Sequence, residues 1–299
     1  MCKRILAIYY SQSGQLGQII NNITQPLINT GSVVETVKIA PAKEYPFPWN
    51  GKQFFSVMPD CVLGNTIQLA PFEIKEQKYD LVILGYQPWF LSPSLPVNAL
   101  MQQMEFKNIL KETPVITVTG VRNMWINSFQ KLKKMLQQNN ANLVGNIVLE
   151  DKHHNLISLI TILYWMFKGK KDKYLGIFPK PGVSDEDIEN AKVFGEVIQQ
   201  HLEQNSWDLL QNDLVSKKAV EVKYNLMFIE EKASRIFPIW ANFISKRKNK
   251  TFWLVLFKYY LLIALFVVAP IILAIDAIFF KPFLSKKIAQ KKEYYSGVK

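Results

Sequence analysis

Arg4-Ile5-Leu6-Ala7-Ile8-Tyr9-Tyr10-Ser11-Gln12-Ser13-Gly14-Gln15-Leu16 is the stretch whose reading decides the fold. After Arg4 its next six residues are apolar and β-prone, the length of a strand buried on both faces. A polar turn with one glycine follows, and helical spacing runs over residues 16–28. A strand that ends in such a turn aims the free N–H groups of the next helix back at the turn. Those groups, the helix dipole and the hydroxyls of Ser11 and Ser13 can hold a dianionic phosphate without any lysine or arginine. Gly14 lets the backbone come close. The competing reading is an ordinary strand-to-helix turn.

The same unit recurs along the chain. Further strands are predicted over 32–39, 79–85, 114–119 and 142–149, and helices over 53–63, 97–104, 127–138 and 185–204. Ser184 is the expected N-cap of the last, with Glu186 and Asp187 in its first turn. Residues 40–48 and 88–96 are proline-bearing loops. Strands alternating with helices imply a parallel sheet covered on both faces. In such sheets ligands sit outside the carboxyl ends of the strands, at the switch point. The loops after Tyr10, Gly85, Thr119 and Leu149 all fall on that edge.

At 299 residues the chain is longer than one such domain needs. The expected division is an α/β domain over 1–205, a helical linker over 206–250 and an apolar, basic tail over 251–299. The net charge is +12, but residues 243–299 hold 11 Lys/Arg against 2 acids. Nucleic acid or anionic lipid would fit a basic tail. The tail also carries the most apolar run of the chain, so lipid is preferred and nucleic acid is not expected. Residues 259–280 contain one charge, Asp276, and a helix of that length spans a hydrocarbon core of roughly 30 Å. Lysines flank both of its ends and Pro270 interrupts it, leaving open a span or a re-entrant, in-plane arrangement, with a buried core helix the plainer alternative. Residues 156–167 form a second apolar run, too short to span. It reads as a helix that dips into the interface, roofs a greasy pocket or packs in the core. Cys2 and Cys61 form no metal-like or CxxC spacing, so no metal is expected and a reducing cytoplasm fits. No secretory signal is read at the N-terminus.

Tyr10-Ser11-Gln12-Ser13-Gly14-Gln15-Leu16 resembles the phosphate loop of the flavodoxin family, approximately S/T-x-T/S-G-x-T, with Leu16 in place of the last threonine. The resemblance covers roughly residues 3–205. It implies a doubly wound five-stranded parallel sheet in the order 2-1-3-4-5. It also implies FMN, its phosphate on Ser11, Gln12, Ser13, Gly14, Gln15 and Leu16. The loop Gln87-Pro88-Trp89-Phe90 would meet the isoalloxazine ring, with Trp89 the stacking candidate and Phe90 next. Thr119, Gly120, Arg122 and Asn123 would reach the ring's polar edge. A core aromatic and a surface arginine are the plainer readings of Trp89 and Arg122. His153 and His154 follow the fifth strand, where a histidine can act as a base near neutral pH or remain solvated.

Several further motifs span nearly the whole chain: Phe47-Pro48-Trp49 with Phe54-Phe55, Gly120-Val121-Arg122-Asn123-Met124-Trp125, His153-His154-Asn155 and the apolar basic tail. Together they resemble the flavodoxin-like enzymes of dialkylresorcinol and flexirubin-type pigment biosynthesis, often called dialkylresorcinol condensing enzymes. In that branch Leu16 is no anomaly. The resemblance implies a ketosynthase-like partner that makes a 2,5-dialkylcyclohexane-1,3-dione, and an FMN-dependent aromatase that oxidises it to a dialkylresorcinol. On this reading of the site His153 or His154 is the expected base and Arg122 the expected partner of the enolate, and the apolar tail is expected to hold the protein on the cytoplasmic side of the inner membrane. The alternatives are a membrane-associated FMN-dependent NAD(P)H-quinone reductase and a flavodoxin-type electron carrier.

Overall fold

The computed structural model describes residues 2–298. β1 (Arg4–Tyr9) leads into α1 (Gln15–Asn29), and β2 (Val33–Lys38) follows. The expected helix over 53–63 is two short ones, α2 (Gly51–Ser56) and α3 (Met58–Leu63). Pro59 lies at the start of α3, because its ring and missing N–H exclude it from a helix interior. β3 (Leu81–Gly85) precedes a small antiparallel hairpin, β4 (Pro88–Trp89) with β5 (Ser92–Pro93), inside the stretch read as loop. The helix expected over 97–104 is likewise two, α4 (Leu95–Leu100) and α5 (Met104–Leu110). β6 (Pro114–Val121), α6 (Ile126–Gln138), β7 (Asn142–Glu150) and α7 (Asn155–Lys168) complete the alternation. The helix expected over 185–204 is interrupted at Ala191, giving α8 (Asp185–Asn190) and α9 (Lys192–Gln204). Ser184 caps α8, its hydroxyl accepting the N–H of Asp187 at 3.0 Å.

The five long strands form one parallel sheet in the order β2-β1-β3-β6-β7. This is the doubly wound 2-1-3-4-5 order of flavodoxin-like folds, with its switch point between β1 and β3. Alternate residues of β1 face opposite sides. Ile5 and Ala7 pack with α1, α8, α9 and residues 210–214, whereas Leu6 and Ile8 pack with α4, α5 and α6. Both layers are dry, which explains strands that read as continuous apolar runs.

Beyond the sheet lie α10 (Leu210–Ser216), α11 (Tyr224–Ser245), α12 (Lys250–Ile263), α13 (Ala269–Phe279) and α14 (Ser285–Ser296). Tyr224 and Met227 of α11 belong to the main core. Phe237, Ala241 and Ile244 form a second small core with Met58 of α3 and Phe257 of α12. A single helix runs over Lys250–Phe279 through a π-turn at Ala264–Val268. The turn precedes Pro270, which cannot donate to the carbonyl four residues back. The helix has a mean hydropathy of 2.8 in its most apolar window, and only 11% of that window is buried. By length and composition it can cross a membrane, and it is not a buried core helix.

Candidate functional site

α1 begins at Gly14, whose φ of +84° turns the chain from strand to helix, and among the described residues no side chain caps it. The first-turn N–H groups therefore have no intrahelical acceptor and face the loop. The hydroxyl of Ser11 is buried without a hydrogen-bond partner in the same place. Side chains of the loop brace its shape. Gln12 donates through Nε2 to the carbonyls of Tyr45 and Pro46, both at 3.2 Å, and accepts the Tyr10 hydroxyl at 2.6 Å. Gln15 pairs with Val183, donating to its carbonyl at 3.1 Å and accepting its N–H at 3.2 Å. The backbone N–H of Gln12 is already held by the Gln87 side chain at 3.1 Å, so it is less free for an anion than those of Ser13 to Leu16.

A cavity of about 430 Å³ opens beside this loop. That volume lies within the roughly 300–1,000 Å³ usual for ligand sites. Gln12, Ser13, Gln15, Leu16, Gln87, Pro88, Trp89, Phe90, Gly120, Arg122 and Asn123 all line it. Of the residues expected at a flavin, Ser11, Gly14 and Thr119 do not line it, although the Thr119 hydroxyl is also buried without a partner.

Trp89 stands edge-on to Tyr10, Tyr45 and Trp49, with ring centroids 5.7, 5.3 and 5.5 Å away. It is thus both a cavity wall and a member of an aromatic cluster. Phe90 sits at φ +48° and tilts against Phe54 at 4.8 Å. The backbone N–H of Trp49 donates to Met166 of α7 at 2.7 Å. The 40–63 segment and α7 are therefore tied into one wall, apolar on its inner side.

Arg122 and Asn123 follow the last residue of β6, which pairs with Glu150 at the end of β7. This register sets Arg122 beside the first turn of α7. Its Nη1 donates to the Asn155 carbonyl at 3.1 Å and to Asn155 Oδ1 at 3.0 Å. Burial pulls the guanidinium down to about 10, and the nearby Asp151 carboxylate opposes that fall. Arg122 remains a cation at neutral pH. Asn123 donates to Asn155 Oδ1 at 2.6 Å and keeps its own buried Oδ1 without a partner.

The two histidines do not line the cavity. His153 folds back on buried Asp151, with Nδ1 2.7 Å from Oδ1, and half of the Asp151 carboxylate accepts the N–H of Gly182 at 3.1 Å. His154 is exposed at the start of α7. The helix begins one residue later and turns Asn155, not a histidine, toward Arg122. Trp125 also turns away from the site. It is 1% exposed in the core, and its indole N–H donates to Glu150 at 2.8 Å.

Sequence reasoning missed the outer wall. Ile229, Lys232, Ala233, Ile236 and Phe237 of α11 line the cavity, as do Leu261, Leu265, Val268 and Ile272 of the apolar helix. The spacing of the α11 residues, on one helical face, was the available signal.

The residues present suit a phosphate with a flat aromatic ring attached. An uncapped helix start and an orphaned buried hydroxyl lie at one end. Aromatic walls lie beside them, and an arginine and an orphaned amide oxygen line the same cavity. No family model and no curated protein matches the chain. Its fold is similar to those of solved flavoproteins. One is a flavoprotein in complex with FMN from Lactobacillus acidophilus, 19% identical over 49% of this chain and 93% of that one, TM-score 0.40. A flavoprotein from Bacteroides eggerthii is 19% identical over 54% of this chain and 97% of that one, TM-score 0.40. A flavodoxin from the domain Archaea is 10% identical over 67% of this chain and 99% of that one, TM-score 0.35. These are likenesses of fold.

Proposed function

We propose that the chain is an FMN-dependent oxidoreductase that works at a membrane and aromatises a 2,5-dialkylcyclohexane-1,3-dione to a dialkylresorcinol. The observation that carries the reading is the cavity itself. One continuous apolar space joins the phosphate loop, a cationic corner at Arg122 and the flank of a 30-residue apolar helix. A small soluble substrate would not call for such walls, whereas a flat polar ring with long apolar chains fills all three parts.

Bound FMN would supply the electron-pair acceptor that the ring needs as it loses two hydrogens. Ser13, Gln15 and Leu16 would hold the phosphate through backbone N–H groups, and Trp89 with Phe90 would wall the ring against water. The proton between two carbonyls is acidic enough to leave to water near neutral pH. The protein's task is then to stabilise the resulting enolate, and Arg122 supplies the fixed positive charge. Neither His153 nor His154 is needed as the base. His153 instead positions the cavity wall through Asp151 and Gly182.

The test uses the full chain in detergent, loaded with FMN and mixed anaerobically with a dialkylcyclohexanedione. Bleaching of the flavin with release of the resorcinol is the expected result. A chain that cannot be loaded with FMN overturns the reading. So does a loaded chain that oxidises NAD(P)H with a quinone and leaves the dione untouched.

A further inference from the structure

The apolar helix is fastened to the α/β domain at both of its ends. Near its start Phe257 is fully buried, edge-on to Phe237 at 5.5 Å and to Trp240 at 5.6 Å. Near its end Asp276 is 4% exposed, and the Tyr224 hydroxyl donates to it at 2.8 Å. Between them Leu261, Leu265, Val268 and Ile272 line the cavity. These residues recur at helical spacing from 257 to 276, a stripe about 28 Å long at a rise of about 1.5 Å per residue. The chain after the helix also returns to the domain. Lys291 pairs with Glu231 of α11 at 2.7 Å, and Gln211 of α10 donates to the Ser296 carbonyl at 2.7 Å.

A helix crossing a bilayer would carry its two flanks to opposite sides. It would strip Asp276 from Tyr224 and Lys291 from Glu231. The outer face tells the same story. Phe252, Tyr259, Ile263, Ile271 and Ile278 are 54–66% exposed along its whole length. Basic residues stand at both ends, Lys246, Arg247 and Lys248 before it with Lys250 at its start, and Lys281, Lys286 and Lys287 after it. Positive charge at both ends is ambiguous for a span, but it matches the headgroups of one leaflet for a helix lying flat.

We infer that residues 250–279 lie in the plane of one leaflet, with both flanks on the same side, and that the cavity opens between this helix, α7 and α11 into that leaflet. Its ligand is an amphiphile whose apolar chain is drawn sideways from the bilayer while its polar end reaches Arg122. The partner surface is an anionic phospholipid bilayer. The inference rests on the membrane association proposed above, and not on the reaction.

The experiment labels full-length chains carrying Cys2→Ser with either Lys248→Cys or Lys287→Cys, in sealed membrane vesicles of one orientation from expressing cells. Cys61 is buried and gives little background. A membrane-impermeant maleimide is expected to label both positions in the same vesicle orientation, without detergent. Labelling of one position only until detergent is added overturns the in-plane seat. Recovery of the chain in the soluble fraction overturns membrane association itself. A second arm probes the opening with a pyrene-labelled long-chain amphiphile offered in vesicles. Ala269→Trp, which narrows the cavity edge, is expected to lose uptake, and Ala269→Ser to keep it. Undiminished uptake by Ala269→Trp overturns the sideways opening.

Discussion

Arg122 is a half-buried cation whose only hydrogen-bond partners among the described residues are neutral, Asn155 and Ser158. A developing enolate beside it would meet a positive charge that no carboxylate hydrogen-bonds and that Asp151 offsets only from nearby. Arg122→Gln keeps a donor and removes the charge. It should slow dione-dependent flavin reduction about 100-fold, as loss of one oxyanion donor does, with FMN affinity little changed. Stopped-flow bleaching and a flavin titration separate the two effects. Glu230 poses a different problem. Burial raises its carboxyl from 4.5 to about 7, against the N–H groups of Asn127, Ile126 and Trp125, which favour the charged form. Between those two pH values the folded chain holds a proton that the unfolded chain has lost. Stability therefore falls as pH rises across the window and is level above it, by on the order of 3 kcal/mol. Glu230→Gln keeps the acceptor for the Asn127 N–H, 2.7 Å away, and cannot titrate. Urea unfolding at pH 4.5 and pH 7 should show a smaller fall for the variant than for the parent. Equal falls would mean that burial does not raise the Glu230 carboxyl above its unfolded value.

α1 and α9 approach closely, and Gly195 makes it possible. A Cβ there would lie 2.1 Å from the Ile23 carbonyl oxygen and 3.0 Å from Pro26 Cγ, and helix backbone cannot withdraw. Gly195→Ala should destabilise the chain by about 1–3 kcal/mol, despite the better helix propensity of alanine. Gly51→Ala, whose Cβ meets nothing within 4 Å, should be neutral or mildly stabilising. Denaturant midpoints for the two variants check this directly. Elements with one dominant local cause were readable in advance. β1, β3, β6 and β7 are largely apolar and buried on both faces, and Gly14 marks the turn from a strand into a helix. Ser184 signalled its cap by residue type alone. What escaped the sequence depends on contacts distant along the chain. Pro59 splits a helix whose apolar spacing looks continuous. His153 leaves the site because Asp151 captures it, and Trp125 enters the core because Glu150 receives its N–H. The α11 wall lies more than 200 residues from the loop it faces, and no local pattern reports that juxtaposition.

The whole molecule joins a dry α/β domain to an apolar helix through two separate fastenings. Removing everything after Ser245 would therefore do more than detach an anchor. It would take Phe257 from Phe55, Phe237 and Trp240 and expose an aromatic core, so loss of membrane binding and loss of folding would be confounded. The charged flank offers a cleaner test. Lys281, Lys286 and Lys287 are exposed, and among the described residues none has an ion-pair partner. Replacing all three with glutamine keeps every residue of the buried stripe and takes from it only the Lys281 ammonium, which stands over the Tyr224 ring 5.5 Å from its centroid. If the flank reads anionic headgroups, binding to phosphatidylglycerol-containing vesicles should weaken by roughly 1 kcal/mol per lysine, and binding to neutral vesicles should not change. Salt should do to the parent what the substitutions do to the variant, since the screening length falls from about 10 Å at 0.1 M to about 3 Å at 1 M. Vesicle flotation across that salt range measures both. An equal loss on neutral vesicles would mean that the lysines serve the fold, and that apolar burial of the outer helix face alone holds the chain at the bilayer.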